Sequence, residues 1–225
     1  MSNPDSFIDE VTEEVRRDRL YATLRRWGWV AILLVILVVG GTAWQQVSNA
    51  REMQAAQARG DALLAALEVS DPAARAEALA AVEVDGPASA VAGLLTAAAQ
   101  EEAGETAAAV ATLEGVATNM NAQPIYRELA QLKALLLDEG LSPADRASAL
   151  EPLAQPGAPF RLVALEAQAL AQVAAGQTED ALATLSLLVE DAEVSGGLRD
   201  RASALIVALG GTPGSGAAGT NESPE

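Results

Sequence analysis

Two patterns of hydrophobic and polar positions divide the chain. From residue 27 to residue 44 no position is charged, and positions 30–39 are apolar without interruption. Past residue 50 the apolar residues are mostly Ala and Leu, recurring at three- and four-residue spacing and punctuated by Gly and Pro. The first pattern predicts a helix that is apolar around its whole circumference. The second predicts amphipathic helices that bury one face against each other. Ala and Leu are strong helix formers, and β-branched runs are absent beyond residue 50, so an all-α fold is expected.

The uncharged stretch of 18 residues rises about 27 Å as a helix, close to the roughly 30 Å of a bilayer's hydrocarbon core. Trp27 and Trp29 mark one end and Trp44 the other, where amphipathic rings prefer to sit. A transmembrane helix at 26–47 follows, with Arg25, Arg26, Trp27, Trp29 and Trp44 as interface anchors in the lipid bilayer. Arg16, Arg17, Arg19, Arg25 and Arg26 precede the span, whereas only Arg51 and Arg59 follow closely. That asymmetry places the N-terminus in the cytoplasm and the remainder outside. A cleaved signal peptide competes with this reading. Its charged region would be unusually acidic, the apolar run exceeds the usual roughly 7–15 residues, and Ser48-Asn49-Ala50 is a poor cleavage site. Within the segment 1–25, Phe7, Ile8, Val11 and Val15 recur at helical spacing. This amphipathic segment either lies on the membrane or docks a partner, or it is a solvated helix that only supports topology.

Beyond the span the punctuation is regular. Gly104, Gly140 and Gly176 are each 36 residues apart, and Pro87, Pro124 and Pro159 precede them by 17, 16 and 17 residues. Pro suits the first turn of a helix and Gly the position just past its end, so each unit reads as Pro, helix, Gly turn, helix. A period of this length built from helix pairs predicts a solenoid, because one pair cannot bury its apolar face alone. The pattern resembles the tetratricopeptide repeat, in which a small residue lies five after the turn glycine and a large apolar one nine after it. Ala109 and Leu113 match in the first unit, Ala181 and Leu185 in the third. The middle unit departs: one extra residue moves the large position to Leu150, and Asp145 or Arg146 falls where the small residue belongs. The family's Trp position holds Gly93, Leu129 and Leu165, and its Tyr position Gln100, Leu136 and Gln172. The expected organisation is linking helices at 48–86, a tetratricopeptide-like α-solenoid of helix hairpins at 87–209, and a disordered tail at 210–225. A capping helix with Arg199 and Arg201 on its polar edge closes the repeats.

A short charged segment, the Arg25-Arg26-Trp27-Gly28-Trp29 approach to one apolar helix, and a degenerate repeat domain form a combination of their own. With Asp18-Arg19-Leu20, Ala158-Pro159-Phe160-Arg161 and Leu198-Arg199-Asp200-Arg201-Ala202, the chain resembles the YfgM-like ancillary subunits of the bacterial SecYEG translocon, in their alphaproteobacterial form. The resemblance implies a single-pass inner-membrane protein with a periplasmic repeat domain. Such an adaptor joins the SecYEG translocon and links it to a periplasmic chaperone. Division-coordinator proteins share the domain, so a scaffold for cell-envelope or cell-division assembly is the alternative.

Charge and composition narrow the chemistry. The net charge is −17, and past residue 50 there are 25 Asp and Glu against nine Lys and Arg. Such a surface repels phosphate backbones, so no nucleic-acid partner is expected. His and Cys are absent, which removes imidazole bases, thiolate nucleophiles and the usual zinc or haem ligands. The pairs Glu101-Glu102, Asp138-Glu139 and Glu179-Asp180 lack the alternating oxygen ligands of a calcium loop. Ser142, Ser148 and Ser186 have no His to activate them, and Lys133 reads as a solvated side chain. No enzyme activity, cofactor, metal or small-molecule substrate is expected; protein binding remains. In tetratricopeptide domains the first helix of each pair lines the concave face, which here would hold Leu94, Ala98, Arg127, Ala130, Ala134, Glu166 and Leu170. With Arg127 as its one cation, that face suits a helix or hydrophobic segment better than a terminal carboxylate. Alternatively, these residues simply pack the superhelix.

Overall fold

The computed structural model describes the backbone of residues 4–214, and the side-chain surroundings of residues 29–214 apart from 31, 32, 35 and 43. Among the described residues the chain is entirely helical, with no strand. The helices are α1 (Pro4–Leu67), α2 (Pro72–Ala80), α3 (Ser89–Glu102), α4 (Thr106–Thr118), α5 (Pro124–Leu137), α6 (Pro143–Leu150), α7 (Arg161–Ala174), α8 (Thr178–Glu190) and α9 (Gly196–Ala208). Two 3-10 turns, Gly86–Ala88 and Glu151–Ala154, precede α3 and follow α6. The chain forms two compact units, Met1–Ala58 and Arg59–Glu225.

In the first unit most of the described apolar side chains of α1 are exposed. Leu33, Leu34, Ile36, Leu37, Val38 and Val39 are exposed, as are Trp29 and Trp44. Among the described residues no helix is long and apolar enough to cross a membrane. The expected span at 26–47 is only partly among them, because Arg26, Trp27, Gly28, Ala31, Ile32, Val35 and Ala43 lie outside the described side chains. So do Arg25 and the rest of the segment 1–25, and the tail beyond residue 214 lies outside as well.

The second unit owes its helix boundaries to local chemistry. Pro72, Pro124 and Pro143 open α2, α5 and α6, where the missing N–H costs no helical hydrogen bond. Asp71 and Ser142 accept backbone N–H groups of the first turn, from Ala74 at 2.9 Å and Asp145 at 3.2 Å. At the far end of α3 and α7, Gly104 and Gly176 both adopt φ 77°, a left-handed conformation that a Cβ disfavours. Each closes a Schellman turn. Glu105 N–H donates to Gln100 and Gln177 N–H to Gln172, both at 2.8 Å.

Four hydrophobic clusters follow one another along the chain. Ala66, Ala76, Leu79 and Ala99 join the end of α1 to α2 and α3. Ala90, Ala97, Leu113, Val116, Ala130 and Ala134 join α3, α4 and α5. Leu132, Leu150, Leu153, Ala164 and Ala167 join α5 through the 3-10 turn to α7. Leu165, Ala169, Leu185, Leu188, Leu198, Ala202 and Ile206 close the stack across α7, α8 and α9. The largest fully buried side chains are all Leu or Ile, as the low aromatic content requires. Most sequential neighbours pack closely; α5 and α6 touch only lightly.

Candidate functional site

The first and third helix pairs repeat each other in polar detail at an offset of 72 residues. Thr112 Oγ1 donates to Gln100 Oε1 at 2.8 Å, and Thr184 Oγ1 to Gln172 Oε1 at 2.9 Å, bracing each first helix to its second. Ser89 and Asn119 meet at 3.0 Å, tying the start of α3 to the loop after α4. At the equivalent places Arg161 meets Asp191 at 2.6 Å, with both side chains largely buried. The Glu193 backbone N–H and then the Arg161 guanidinium hold the Asp191 carboxyl below its ordinary range. Ala109, Leu113, Ala181 and Leu185 are all fully buried, so the small and large positions five and nine past each glycine pack between the helices.

The middle pair lacks each of these devices. Leu136 stands where the others carry Gln, and Ser148 in place of Thr turns its hydroxyl back onto the Ala144 carbonyl at 3.1 Å. Gly140 is not in the left-handed region; Asp138 Oδ1 instead accepts its N–H at 2.8 Å. The extra residue lies in this turn. Helices α4 and α8 begin two residues after their glycines, whereas α6 begins three after, at Pro143. A shift of one residue would put the small position at Arg146, four before Leu150, but the buried small residue of α6 is Ala147, three before it. Asp145 is exposed, and Arg146 donates to the Asp138 carbonyl.

An open cleft of about 710 Å³ lies between the Gly104 turn with the start of α4 and the turn that follows α5. Gly104, Glu105, Thr106, Ala107, Ala108 and Val110 form one side; Asp138, Glu139 and Gly140 form the other. No sequence pattern marked this place, although the extra residue after Gly140 was its visible signal.

The seven residues predicted to line a concave face differ in their surroundings. Ala130 and Ala134 are 0% and 6% exposed inside the α3–α4–α5 cluster, against which Leu94 also packs. Those three belong to the interhelical packing rather than to an open wall, because α5 is covered from the α3–α4 side. Arg127 donates to the Met120 sulfur at 3.3 Å. Glu166 is held by both nitrogens of a two-pronged contact from Arg201 in α9, at 2.7 and 2.9 Å, which raises the Arg201 pKa. Only Ala98 and Leu170 are exposed. Arg199, the other cation of α9, donates to the Val189 and Asp191 carbonyls at the end of α8. Of the predicted interface anchors, Trp29 and Trp44 are exposed on α1, while Arg25, Arg26 and Trp27 lie outside the described side chains.

The carboxylate pairs are spent on structure where they meet cations. Glu102 pairs with Arg75 at 2.6 Å and Glu101 with Lys133 at 3.7 Å. The fold thus defines a class: an all-helical chain whose second unit stacks sequential helices, two pairs of them in near-identical detail. Comparison with protein-family models, with curated proteins and with solved structures gives no match.

Proposed function

We propose that this protein is a membrane-anchored, non-enzymatic scaffold. One helix over 26–47 spans the bilayer with the N-terminus cytoplasmic, and a tetratricopeptide-like α-solenoid over 87–209 presents binding surfaces in the periplasm. The observation that carries the reading is the exposure of Leu33, Leu34, Ile36, Leu37, Val38 and Val39 on α1, flanked by exposed Trp29 and Trp44. A contiguous apolar surface of this kind needs either lipid or another protein to cover it. The 72-residue correspondence between helix pairs supports the solenoid. The sequence resemblance supports an accessory role at the SecYEG translocon, joining it to a periplasmic chaperone by mass action near the exit site.

The absence of Cys makes topology directly testable. Single cysteines introduced at Ser6 and Ser195 are treated with a membrane-impermeant maleimide in spheroplasts. Labelling at Ser195→Cys alone is the expected result, and labelling at both positions or at Ser6→Cys alone sinks the topology. In-membrane crosslinking with identification by mass spectrometry then tests the partner. Recovery of translocon subunits or a periplasmic chaperone supports the export role. Recovery of neither, with a midcell fluorescent band, moves the scaffold to envelope or division assembly.

A further inference from the structure

The cleft between the Gly104 turn and the Asp138–Gly140 turn combines an apolar floor with a rim of one charge. Ala107, Ala108 and Val110 of α4 supply the floor, and Glu105, Asp138 and Glu139 supply the rim. No Lys or Arg lines it. Arg146 does not line it but donates to the neutral Asp138 carbonyl beside it, and keeps its positive charge. Among the described residues Glu105 and Glu139 make no ion pair, whereas Glu101 and Glu102 on the neighbouring end of α3 do. The start of α4 carries a partial positive charge of about half a unit, and with the unit charge of Arg146 it is still outweighed by the three carboxylates. The chain's own acidic tail, with Glu222 and Glu225, has the wrong sign to fill the space.

We propose that this cleft docks a cationic amphipathic segment of a partner protein. One turn of such a helix sets a Leu- or Val-sized side chain on Ala107, Ala108 and Val110, while its Lys or Arg side chains meet Glu105, Asp138 and Glu139. Charge complementarity at the cleft's rim governs the rate of encounter and the choice of partner, and the apolar floor the residence time. The site lies where the Gly104 turn and the start of α4 face the turn that follows α5. The proposal rests on the scaffold reading for the existence of a partner and adds where that partner sits and what chemistry it brings.

The test uses the full chain in uncharged-detergent micelles at low salt. The probe is a fluorescein-labelled helical peptide of Leu and Lys in amphipathic spacing, and its signal with empty micelles is subtracted. Ala108→Trp fills the floor at constant charge, and the double variant Glu105→Gln/Glu139→Gln removes rim charge. Each is expected to weaken binding by about fivefold or more. The double variant Glu179→Gln/Asp180→Asn, at the corresponding turn of the third pair, is expected to change it by less than about twofold. Absence of binding to the wild type, an unchanged affinity for Ala108→Trp, or an equal loss from the remote pair overturns the proposal. Unaltered melting curves keep each variant interpretable, since the substituted side chains are exposed or line open space. If crosslinking in membranes still recovers partners while the cleft variants bind normally, the cleft assignment fails and the scaffold reading stands.

Discussion

Gly93 is the position where a single methyl group decides how α3 and α4 pack. An added Cβ there would lie 2.4 Å from Val116 Cγ2. The third pair carries Leu165 and Leu188 at the corresponding places, both buried; the first pair fills the same space from one side only. Ala is favoured over Gly inside a helix by about 1 kcal/mol. Against that, carbon atoms in contact sit about 3.5–4.0 Å apart, so the 2.4 Å approach forces Val116 to retreat by roughly 1 Å. Val is stiff about χ1, and overpacking of this kind costs about 1–3 kcal/mol. Gly93→Ala is therefore expected to destabilise the second unit by about 1 kcal/mol, the clash exceeding the propensity gain. Val116→Ala alone, at a site 6% exposed, is expected to cost about 2 kcal/mol in lost burial and cavity. The double variant leaves the vacated space to the new methyl group at position 93, so its loss should be smaller than the sum by about 1–3 kcal/mol. Guanidinium unfolding of the full chain in mild detergent measures all four stabilities. Circular dichroism is the appropriate signal, because Trp27, Trp29 and Trp44 all belong to α1. A coupling below about 0.5 kcal/mol, or a net gain from Gly93→Ala, would refute the packing argument.

The turns differ in a way that substitution reads directly. Gly176 has φ 77°, where an L side chain costs about 1–2 kcal/mol, so Gly176→Ala should lose that much stability. Gly140→Ala should lose less, since its backbone is not left-handed and its Cβ meets only Asp138 Oδ1 at 3.1 Å; equal losses in denaturant unfolding would contradict the distinction between the turns. The Asp191 carboxyl, with its pKa depressed in the fold by Glu193 N–H and Arg161, stabilises above its unfolded pKa of about 3.9 and loses that contribution as pH falls through the folded value. Asp191→Asn is therefore expected to melt below the wild type at neutral pH, with the gap closing as the solution is acidified; a gap that stays constant across the acid range counts against the depressed pKa.

Helix identity was legible in the residues because its causes are local. Gly104 and Gly176 stop helices through their own backbone freedom, and Pro124 starts α5 through a fixed φ; of the other two prolines in the repeat pattern, Pro87 lies in the 3-10 turn before α3 and Pro159 two residues before α7. Ala and Leu at three- and four-residue spacing then supply a buried face whatever covers it. The brace between Gln100 and Thr112 also left a trace, since Gln172 and Thr184 recur 72 residues on, but only the folded pair shows that they touch. Ala98, Ala134 and Leu170 occupy equivalent places in the repeat, yet Ala134 is buried while Ala98 and Leu170 are exposed. Periodicity names the face of a helix and not the neighbour that covers it, and Ala is too small for its hydrophobicity to reveal which side of that line it falls on. The same holds for the cleft. One extra residue after Gly140 is visible in the chain, but whether it is absorbed in the turn, in the helix or in the packing is decided by where Ala147, Leu150 and Leu153 can bury themselves. Leu150 and Leu153 do so in one cluster with Leu132 of α5 and Ala164 and Ala167 of α7. Forces that act within a few residues set the helices and their turns, so both can be read along the chain. Which of those helices meet, and what space they leave between them, depends on contacts between residues far apart, and only the folded chain brings those together.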